Sequence, residues 1–561
     1  MTVDSGRVAG SHAPWSWLIP PAAHHRRYYE AHVWRNRTLA DWARVRAADE
    51  PDAVVFPNDP TQPTYGELLT DAEALATSLA KDLGIKPGEV ISFQTPNWIE
   101  AAVINIAATI GGFVVNPIIP IYRDAEVRQM LADSGARLLF FAENFRGYNY
   151  AAMVERIRGD LPALSHAIPV RGSAQGANFS ALVAAGRGRP PVGPRVSPDD
   201  VKLLLYTSGT TGKPKGVLHS HNTLARVMDV SAAQWKIGAG DVILMPSPVT
   251  HISGYCNGLE QPFLIGTRTV LMENWHAATA VNLICQHKIV GTVAATPFLK
   301  ELADEARSRH VTLPGFRIFA CGGAAVPADL IREANASFDQ PCAFRVYGSS
   351  ETPLVTLGYE ARDLPELAAA TDGAVVDYEV RVLNDDGADV PLGQEGEIVA
   401  RGPAMFMGYA DEEQTRDALT EDGFFRSGDI GRLTAEGAII VTGRKKDIII
   451  RGGENISPKE IEDVLNRHPM IREAAVVAMP HIRLGEGICA YIVLRNEEAP
   501  TFTDIVAFVT ASGIAKQKCP ERVEYIDDLP RTASGKVRKD FLRARIAEKM
   551  ARETAALAND Q

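Results

Sequence analysis

The segment from Tyr206 to Gly216 reads YTSGTTGKPKG and is the most informative stretch of the chain. Gly209 and Gly212 allow left-handed backbone conformations, in which successive N–H groups can point inward and form an anion-binding nest. The Ser and Thr hydroxyls and the two lysines add donors and positive charge suited to the oxygens of a polyphosphate. A Walker A loop requires G-x-x-x-x-G-K-[ST], and Pro214 stands five residues after Gly209, so this is a different motif. A polar surface loop is the alternative interpretation.

Outward from this segment, apolar residues lie on both sides, at Leu203–Leu205 and at Val217 and Leu218. We therefore expect a loop between two buried strands. Asn222 is the predicted cap of the helix that follows, and Thr64 with Glu67 forms a capping box at the start of an earlier helix.

Further out, short apolar runs alternate with helical patterns through most of the chain. This alternation predicts an α/β fold whose large N-terminal domain has mainly parallel sheets flanked by helices. Short strands with Gly and Asp turns predict a small β subdomain between residues 375 and 400. A boundary is expected near Gly443–Asp447, with a compact α+β unit after it.

Length and composition limit the classes of function. A chain of 561 residues exceeds the usual limit of one core, so two to four packing units are expected. The net charge of −11 argues against a nucleic-acid partner, which would require a basic face. The six cysteines are scattered without a C-x-x-C pair, which indicates reduced thiols and no zinc site.

The chain shows neither a signal-peptide pattern at its start nor a peroxisomal address at its end. The run Ala101–Ile121 is uncharged and long enough to span a bilayer, but it contains Asn105, Asn116 and a Gly-Gly pair. We interpret it as a buried helix followed by a strand. The expected location is therefore a bacterial cytoplasm, without stable insertion into a membrane.

Five motifs in a fixed order resemble the adenylate-forming enzymes: acyl-CoA and aryl-CoA synthetases, luciferases and the adenylation domains of peptide synthetases. The resemblance covers roughly residues 40 to 545 and is closest to ligases for medium-chain and cyclohexanecarboxylate-type acids. The motifs are YTSGTTGKPKG (206–216), YGSSET (347–352), GFFRSGDIGRL (423–433), GRKKDIIIRGGENISPKEIE (443–462) and PRTASGKVRK (530–539).

A carboxylate near a triphosphate-binding loop suits Mg²⁺, which takes one or two carboxylates plus phosphate oxygens, so Glu351 is the predicted metal ligand. A solvated loop residue is the alternative for Glu351. The resemblance implies that Tyr347 stacks on adenine and that Ser350, where the family usually has threonine, contacts the α-phosphate. The predicted ATP- and AMP-binding residues are Thr207, Ser208, Gly209, Thr210, Thr211, Gly212, Lys213, Lys215, Gly322, Gly323, Ala324, Tyr347, Gly348, Ser349, Ser350, Asp429 and Arg444.

Asp429 can accept hydrogen bonds from both hydroxyls of a ribose, and the resemblance makes Arg444 a second ribose contact. A surface ion pair between the two is the alternative.

Lys536 resembles the catalytic lysine of adenylation, and acetylation would remove its charge. By the same resemblance, Lys446 is the hinge between an N-terminal AMP- and acyl-binding domain (1–443) and a mobile C-terminal domain (447–561), with the hinge at 444–446. Rotation would bring Gly452, Gly453 and Glu454 to the coenzyme A channel, although Gly452-Gly453 alone could be a plain tight turn.

The segment around PVTHISGY provides the predicted acyl pocket of His251, Ile252, Gly254 and Tyr255. In the family the position of His251 lines the pocket and gates entry of the thiol, although a lone His in an apolar segment is more often a core residue. The segment HISGY offers no carboxylate, so an amino acid's ammonium would be buried unpaired. A medium-chain, alicyclic or aromatic acid is therefore expected.

The sequence thus predicts an ATP-dependent, AMP-forming carboxylate–CoA ligase of fatty-acid-type metabolism that uses ATP, Mg²⁺ and coenzyme A. An acyl-AMP ligase that loads a separate carrier protein is the main alternative, and luciferase-like oxidation and a degenerate nucleotide-binding module are others. A homodimer and a lysine acetyltransferase acting on Lys536 are further candidate partners.

Overall fold

The computed structural model describes residues 15, 18, 22–172, 178–191, 193, 196–207, 214–323, 326–452, 454–532 and 536–559. Eight of the predicted site residues lie outside these ranges: Ser208, Gly209, Thr210, Thr211, Gly212, Lys213, Ala324 and Gly453.

The largest sheet is a seven-stranded mixed sheet that contains the two strands on either side of the predicted phosphate loop. Its strands, in spatial order, are Gly408–Tyr409, Lys215–Ser220, Val201–Thr207, Val114–Pro117, Val90–Gln94, Leu138–Phe141 and His166–Pro169. The last five run parallel, as predicted. The strands on either side of the loop are antiparallel because the connection between them is too short for a parallel crossover.

A second, all-parallel sheet of five strands completes the large domain. Its order is Arg268–Leu271, Val242–Met245, Gly291–Ala294, Ile318–Cys321 and Ala343–Arg345. The expected alternation of strands and helices is confirmed, and the carboxyl ends of these strands lead into the predicted pocket and nucleotide segments.

Helices cover both faces of these sheets. Thr64 and Glu67 form the predicted capping box. The uncharged run after residue 100 is a buried helix followed by a buried strand, as expected, and no helix in the described ranges is long and apolar enough to cross a membrane. The helices are Ala22–Glu30, Leu39–Asp49, Tyr65–Lys81, Ile99–Gly111, Asp124–Ser134, Tyr150–Arg158, Phe179–Gly186, His221–Gln234, Ile252–Gly254, the π-helix Tyr255–Glu260, Gln261–Ile265, Ala277–His287, Thr296–Ser308, Ala328–Ser337, Pro365–Ala370 and Glu412–Ala418.

The prediction that Asn222 caps the helix after the loop is wrong. Ser220 is the cap, and its hydroxyl accepts a hydrogen bond from the backbone N–H of Thr223. The Asn222 amide instead donates to Tyr29 and Asp199, which ties the N-terminal helices to the start of this helix.

The predicted small β subdomain and C-terminal α+β unit are both present. The subdomain is an antiparallel sheet of Glu379–Leu383, Gly396–Arg401, Phe425–Leu433 and Ile439–Arg444. After a 3₁₀ turn at Lys445–Asp447, the smaller unit contains strands Ile449–Arg451, Glu454–Ile456, Ile471–His481, Gly485–Leu494 and Arg522–Tyr525 and helices Pro458–Leu465, Phe502–Ala511 and Lys539–Asn559. Two short elements remain, a hairpin of Asn144–Phe145 with Tyr148–Asn149 and a 3₁₀ turn at Lys516–Lys518.

Candidate active site

Lys215 and Glu351 meet at one tyrosine. Lys215 begins the strand after the phosphate loop, opposite Thr207, and its Nζ lies 4.7 Å from the centre of the Tyr409 ring. The Tyr409 hydroxyl donates a 2.8 Å hydrogen bond to Oε1 of the buried Glu351. A cation and a carboxylate from separate motifs therefore contact the same tyrosine, while the predicted contact Lys213 lies outside the described residues.

A buried histidine, His219, supports the loop that carries Glu351. His219 Nε2 donates to the backbone oxygen of Ser350 at 2.7 Å, and its Nδ1 lies 3.1 Å from the Thr223 hydroxyl. Burial lowers the pKa of His219 to about 4, so the ring is neutral at pH 7. The Ser349 hydroxyl accepts from the backbone N–H of Glu351 at 3.2 Å, which completes the brace.

The predicted nucleotide contacts form a second cluster. Asp429 and Arg444 are opposite each other on antiparallel strands, and Arg444 Nε donates to Asp429 Oδ1 at 2.8 Å. The hydroxyl of Tyr347 donates to the other oxygen at 2.9 Å. The ion pair of Asp429 and Arg444 is therefore present, with the Asp429 side chain 7% exposed and that of Arg444 41% exposed, and the ribose contact stays a prediction. The arrangement holds the carboxylate in place while its remaining lone pairs stay free to accept hydroxyl groups.

Beside this cluster the backbone at Gly322 passes close to the backbone at Val346. A Cβ at this position would lie 2.7 Å from the backbone oxygen of Val346, immediately before Tyr347. Gly323 has a φ of +82°, which favours glycine. Only small residues fit where the chain passes Tyr347.

Lys536 comes from the C-terminal domain and sits in a tight turn. The backbone N–H of Thr532 donates to Lys536 O at 2.7 Å, and the Thr532 hydroxyl accepts from Lys536 N at 3.1 Å. Burial and the nearby charge of Arg444 lower the pKa of Lys536 to about 8, while the carboxylates of Asp429 and Glu351 act in the opposite direction. Charged residues from three separate motifs therefore influence this one ammonium group.

His251 borders the same place. Burial lowers its pKa to about 4, and the charge of Lys536 adds to this effect, so the imidazole is neutral at pH 7. Its Nδ1 lies 3.0 Å from the Ser253 hydroxyl.

The rest of the predicted acyl pocket is a helical wall that begins at His251. Ile252 is buried, and a Cβ on Gly254 would lie 2.0 Å from the backbone oxygen of Pro248. The Tyr255 side chain is fully buried, and its hydroxyl donates to Asn105 at 2.6 Å. Tyr255 therefore belongs to a polar cluster inside the domain as well as to the wall.

The residues on the two sides of Lys446 contact different domains. The Lys445 ammonium lies 3.2 Å from Asp385 in the β subdomain. Arg543, on the last helix, donates to the backbone oxygen of Lys446 at 3.1 Å and pairs with Asp447 at 2.5 Å. The chain thus passes from one body to the other within three residues.

The predicted coenzyme A turn lies elsewhere on the C-terminal domain. Gly452 has a φ of +60°, and its N–H donates to Leu484 O at 2.9 Å. In the described part of the chain, no hydrogen bond from Gly452 or Glu454 reaches Glu351 or Lys536.

Tyr409 and His219 were missed by sequence reasoning. Each stands in an apolar stretch and looks like a core residue, and their partners Glu351 and Ser350 are distant in sequence. Only the pairing of strand Gly408–Tyr409 with the strand after the phosphate loop reveals them.

Comparison with known proteins agrees with this geometry. Residues 43–410 match the family model described as AMP-binding enzyme, and residues 460–536 match that of the AMP-binding enzyme C-terminal domain. The chain belongs to the AMP-binding enzyme family.

Relatives of this family member have several activities. It is 36% identical over 534 residues to the medium-chain fatty-acid–CoA ligase of Escherichia coli K12, covering 94% of this chain and 93% of that protein. It is 32% identical to the 2,3-dihydroxybenzoate–AMP ligase of Bacillus subtilis 168, covering 93% and 96%. The crystal structure of an ATP-bound RpMatB–BxBclM chimera superposes with a TM-score of 0.81 at 26% identity, covering 91% of this chain and 99% of that chain.

Proposed function

We propose that this AMP-binding enzyme is an ATP-dependent carboxylate–CoA ligase that forms an acyl-adenylate and then an acyl-CoA, releasing pyrophosphate and AMP. The observation that carries the proposal is the geometry of three motifs, in which Lys215 and Glu351 meet at Tyr409 while Tyr347 and Arg444 both donate to Asp429. Relatives named as CoA ligases support the reaction class.

In the first half-reaction, the substrate carboxylate attacks the α-phosphorus of ATP and pyrophosphate leaves. Positioning and neutralisation of charge supply most of the catalysis in such a transfer. Tyr347, Asp429 and Arg444 hold the nucleoside, and Lys215 with the phosphate loop holds the leaving pyrophosphate. Lys536 offsets negative charge between the carboxylate and the α-phosphate.

Glu351 is the residue that would hold Mg²⁺. Its Oε1 accepts from Tyr409, which leaves Oε2 for a metal. The described residues contain no cluster of three or more His, Cys, Asp or Glu suited to a metal ion, which fits a cation held mainly by phosphate oxygens. When bound, Mg²⁺ would neutralise phosphate charge.

In the second half-reaction, the thiol of coenzyme A attacks the acyl carbonyl and AMP leaves. We place the hinge at Lys446, where side-chain contacts change domain, so that rotation withdraws Lys536 and brings the turn Gly452–Glu454 to the thiol channel. The neutral His251 then lines the path to the acyl group. Acetylation of Lys536 would block the first half-reaction only.

The substrate is proposed to be a medium-chain, alicyclic or aromatic acid. The segment Val249–Gly258 contains no carboxylate. The next one, Glu260, is paired with the buried Lys202 and is unavailable to a substrate ammonium. An acyl-AMP ligase acting on a carrier protein is the second candidate, and the Bacillus relative named as an AMP ligase favours an AMP-ligase activity.

Two assays test the proposal. A panel of carboxylates should support ATP–pyrophosphate exchange without coenzyme A, and one of them should give AMP release that requires free coenzyme A. If no acid of the panel supports ATP–pyrophosphate exchange, the proposal that the protein is a ligase is contradicted. AMP release that requires a holo-carrier protein instead would establish the second candidate.

A further inference from the structure

A buried ion pair lies behind the acyl wall. Lys202 is 1% exposed and Glu260 is 2% exposed, and their side chains are in direct contact. Asn105, which is fully buried, donates to Glu260 Oε1 at 2.8 Å. Burying two charges is costly and often no more stabilising than an apolar pair, so such a pair suggests a role in specifying one arrangement.

The wall beside this pair is a π-helix. It spans Tyr255–Glu260, and the N–H of Gln261 bonds to Cys256 O, five residues back. Such widened turns are rare and occur frequently at functional sites.

Asn105 explains why the turn stays wide. Its Oδ1 accepts from the Tyr255 hydroxyl at 2.6 Å, and its Nδ2 donates to Glu260. In an α-helix, residues five apart point roughly 140° away from each other, so they could not share one small partner. The π turn brings both side chains to the same face, and one amide joins them.

We call the bonded set of Asn105, Tyr255, Glu260 and Lys202 the clamp. Two of its members, Asn105 and Lys202, lie on rigid parts of the domain. Asn105 lies in the buried helix Ile99–Gly111. Lys202 lies on the strand that ends at Thr207, where the phosphate loop begins. The clamp therefore fixes the position of the acyl wall relative to the strand that leads into the predicted phosphate loop.

The residues that the clamp would position belong to the same wall. The Ser253 hydroxyl contacts His251, and the Asn257 amide donates to the Ser253 backbone oxygen at 2.8 Å. This line of polar groups runs from His251, the first residue of the predicted acyl pocket, into the π turn.

We propose that Asn105 is a positioning residue that holds the π turn, with Lys202 and Glu260 as its support, and that this clamp determines which acids the wall accepts. The inference rests on the proposed function, because it concerns the acid that the enzyme activates. A substitution that disrupts the clamp should change the discrimination between acids and leave ATP binding almost unchanged.

The test uses Asn105→Ala in acid-dependent ATP–pyrophosphate exchange with a panel of acids of graded size and polarity. We expect the ratio of kcat/KM between the best acid and the next best to fall about tenfold, with KM for ATP within about twofold of wild type. Tyr255→Phe removes one arm of the clamp and should lower the ratio by about threefold.

Asn116→Ala is the matched control. Asn116 is equally buried and donates to Ser92 Oγ at 3.0 Å in the central sheet, with no contact to the wall. Asn116→Ala should leave the ratio of kcat/KM between the best acid and the next best unchanged.

Several results would overturn the proposal. One is an unchanged ratio in Asn105→Ala, or in Tyr255→Phe if the alanine variant does not fold. Another is an equal change in Asn116→Ala, which would indicate general destabilisation. Wild-type enzyme that shows no exchange with any acid would instead refute the proposed function, so the two failures are distinguishable.

Discussion

The two halves of the candidate site are held very differently. The large-domain half is braced: Asp429 accepts from two residues, Glu351 accepts from Tyr409, and His219 supports the Ser350 backbone. Lys536 is held through its own backbone, whose N–H donates to the Thr532 hydroxyl and whose oxygen accepts from the Thr532 N–H, and its ammonium group forms no ion pair with the described residues.

This difference indicates a division of labour. Groups that must not reorganise during the reaction are preorganised by hydrogen bonds in a rigid domain. Under the proposed function Lys536 has to leave after the first half-reaction, and in the described part of the chain its ammonium group has no ion pair to break when it does. Substitutions in the two halves should therefore have different kinetic signatures.

The largest effect is expected for Lys536→Ala in the first half-reaction. Removing one donor to a charged transition state costs about 10²- to 10³-fold in rate, so acid-dependent pyrophosphate exchange should fall by that amount. Lys539→Ala, three residues away and paired with Glu462, is the control and should change exchange less than threefold. Full exchange in Lys536→Ala would remove this residue from the site.

A smaller loss is expected for Asp429→Ala, which removes the acceptor of Tyr347 and Arg444. Hydrogen bonds to a charged group contribute about 1.5–3 kcal/mol, so kcat/KM for ATP should fall about 10- to 100-fold. Steady-state assays should show an unchanged KM for the acid. Asp422→Ala, which removes an exposed carboxylate paired with Arg381, should leave both parameters unchanged. An effect confined to the acid would contradict the assignment of Asp429 to the nucleotide.

The pH dependence should report Lys536. Its protonated form is the active one, and its pKa in the free enzyme is lowered to about 8. Adenylation is therefore fully supported below this value and lost as pH rises, and kcat/KM for exchange should fall about tenfold between pH 8.5 and 9.5. In Lys536→Arg, the residual activity should lack this alkaline limb, because a guanidinium stays charged. A limb that persists in this variant would belong to another group.

The smallest effect is expected for Arg543→Ala at the hinge. Loss of the contacts with Asp447 and Lys446 O weakens the arrangement that presents Lys536, and a partly exposed pair contributes up to about 1 kcal/mol. Exchange should fall by about two- to fivefold while thioester formation from supplied acyl-adenylate is unchanged or faster. Arg552→Ala on the same helix is the control. Equal slowing of both half-reactions would argue against a latch at this position.

Local patterns predicted much of the fold because they act over short distances. The capping box at Thr64, the strands on either side of the phosphate loop and the small β subdomain follow from caps, apolar runs and turn residues. The helix after the loop begins earlier than predicted, because Ser220 and Asn222 are both good caps and only the observed backbone selects one.

The brace and the clamp could not be predicted for a different reason. Tyr409 and Glu351 are 58 residues apart, and Asn105 and Glu260 are 155 apart. No periodicity links such pairs, and a π turn leaves almost the same apolar pattern as an α-helix. Motifs predicted the groups proposed to contact substrates, whereas the tertiary fold supplies the residues that hold them.

The most direct test of the division between the two domains supplies Lys536→Ala with preformed acyl-adenylate and coenzyme A. Thioester formation should proceed within about threefold of the wild-type rate, since the ammonium group has no role once the adenylate exists. A loss as large as that in pyrophosphate exchange would contradict the division, because it would place Lys536 in both half-reactions.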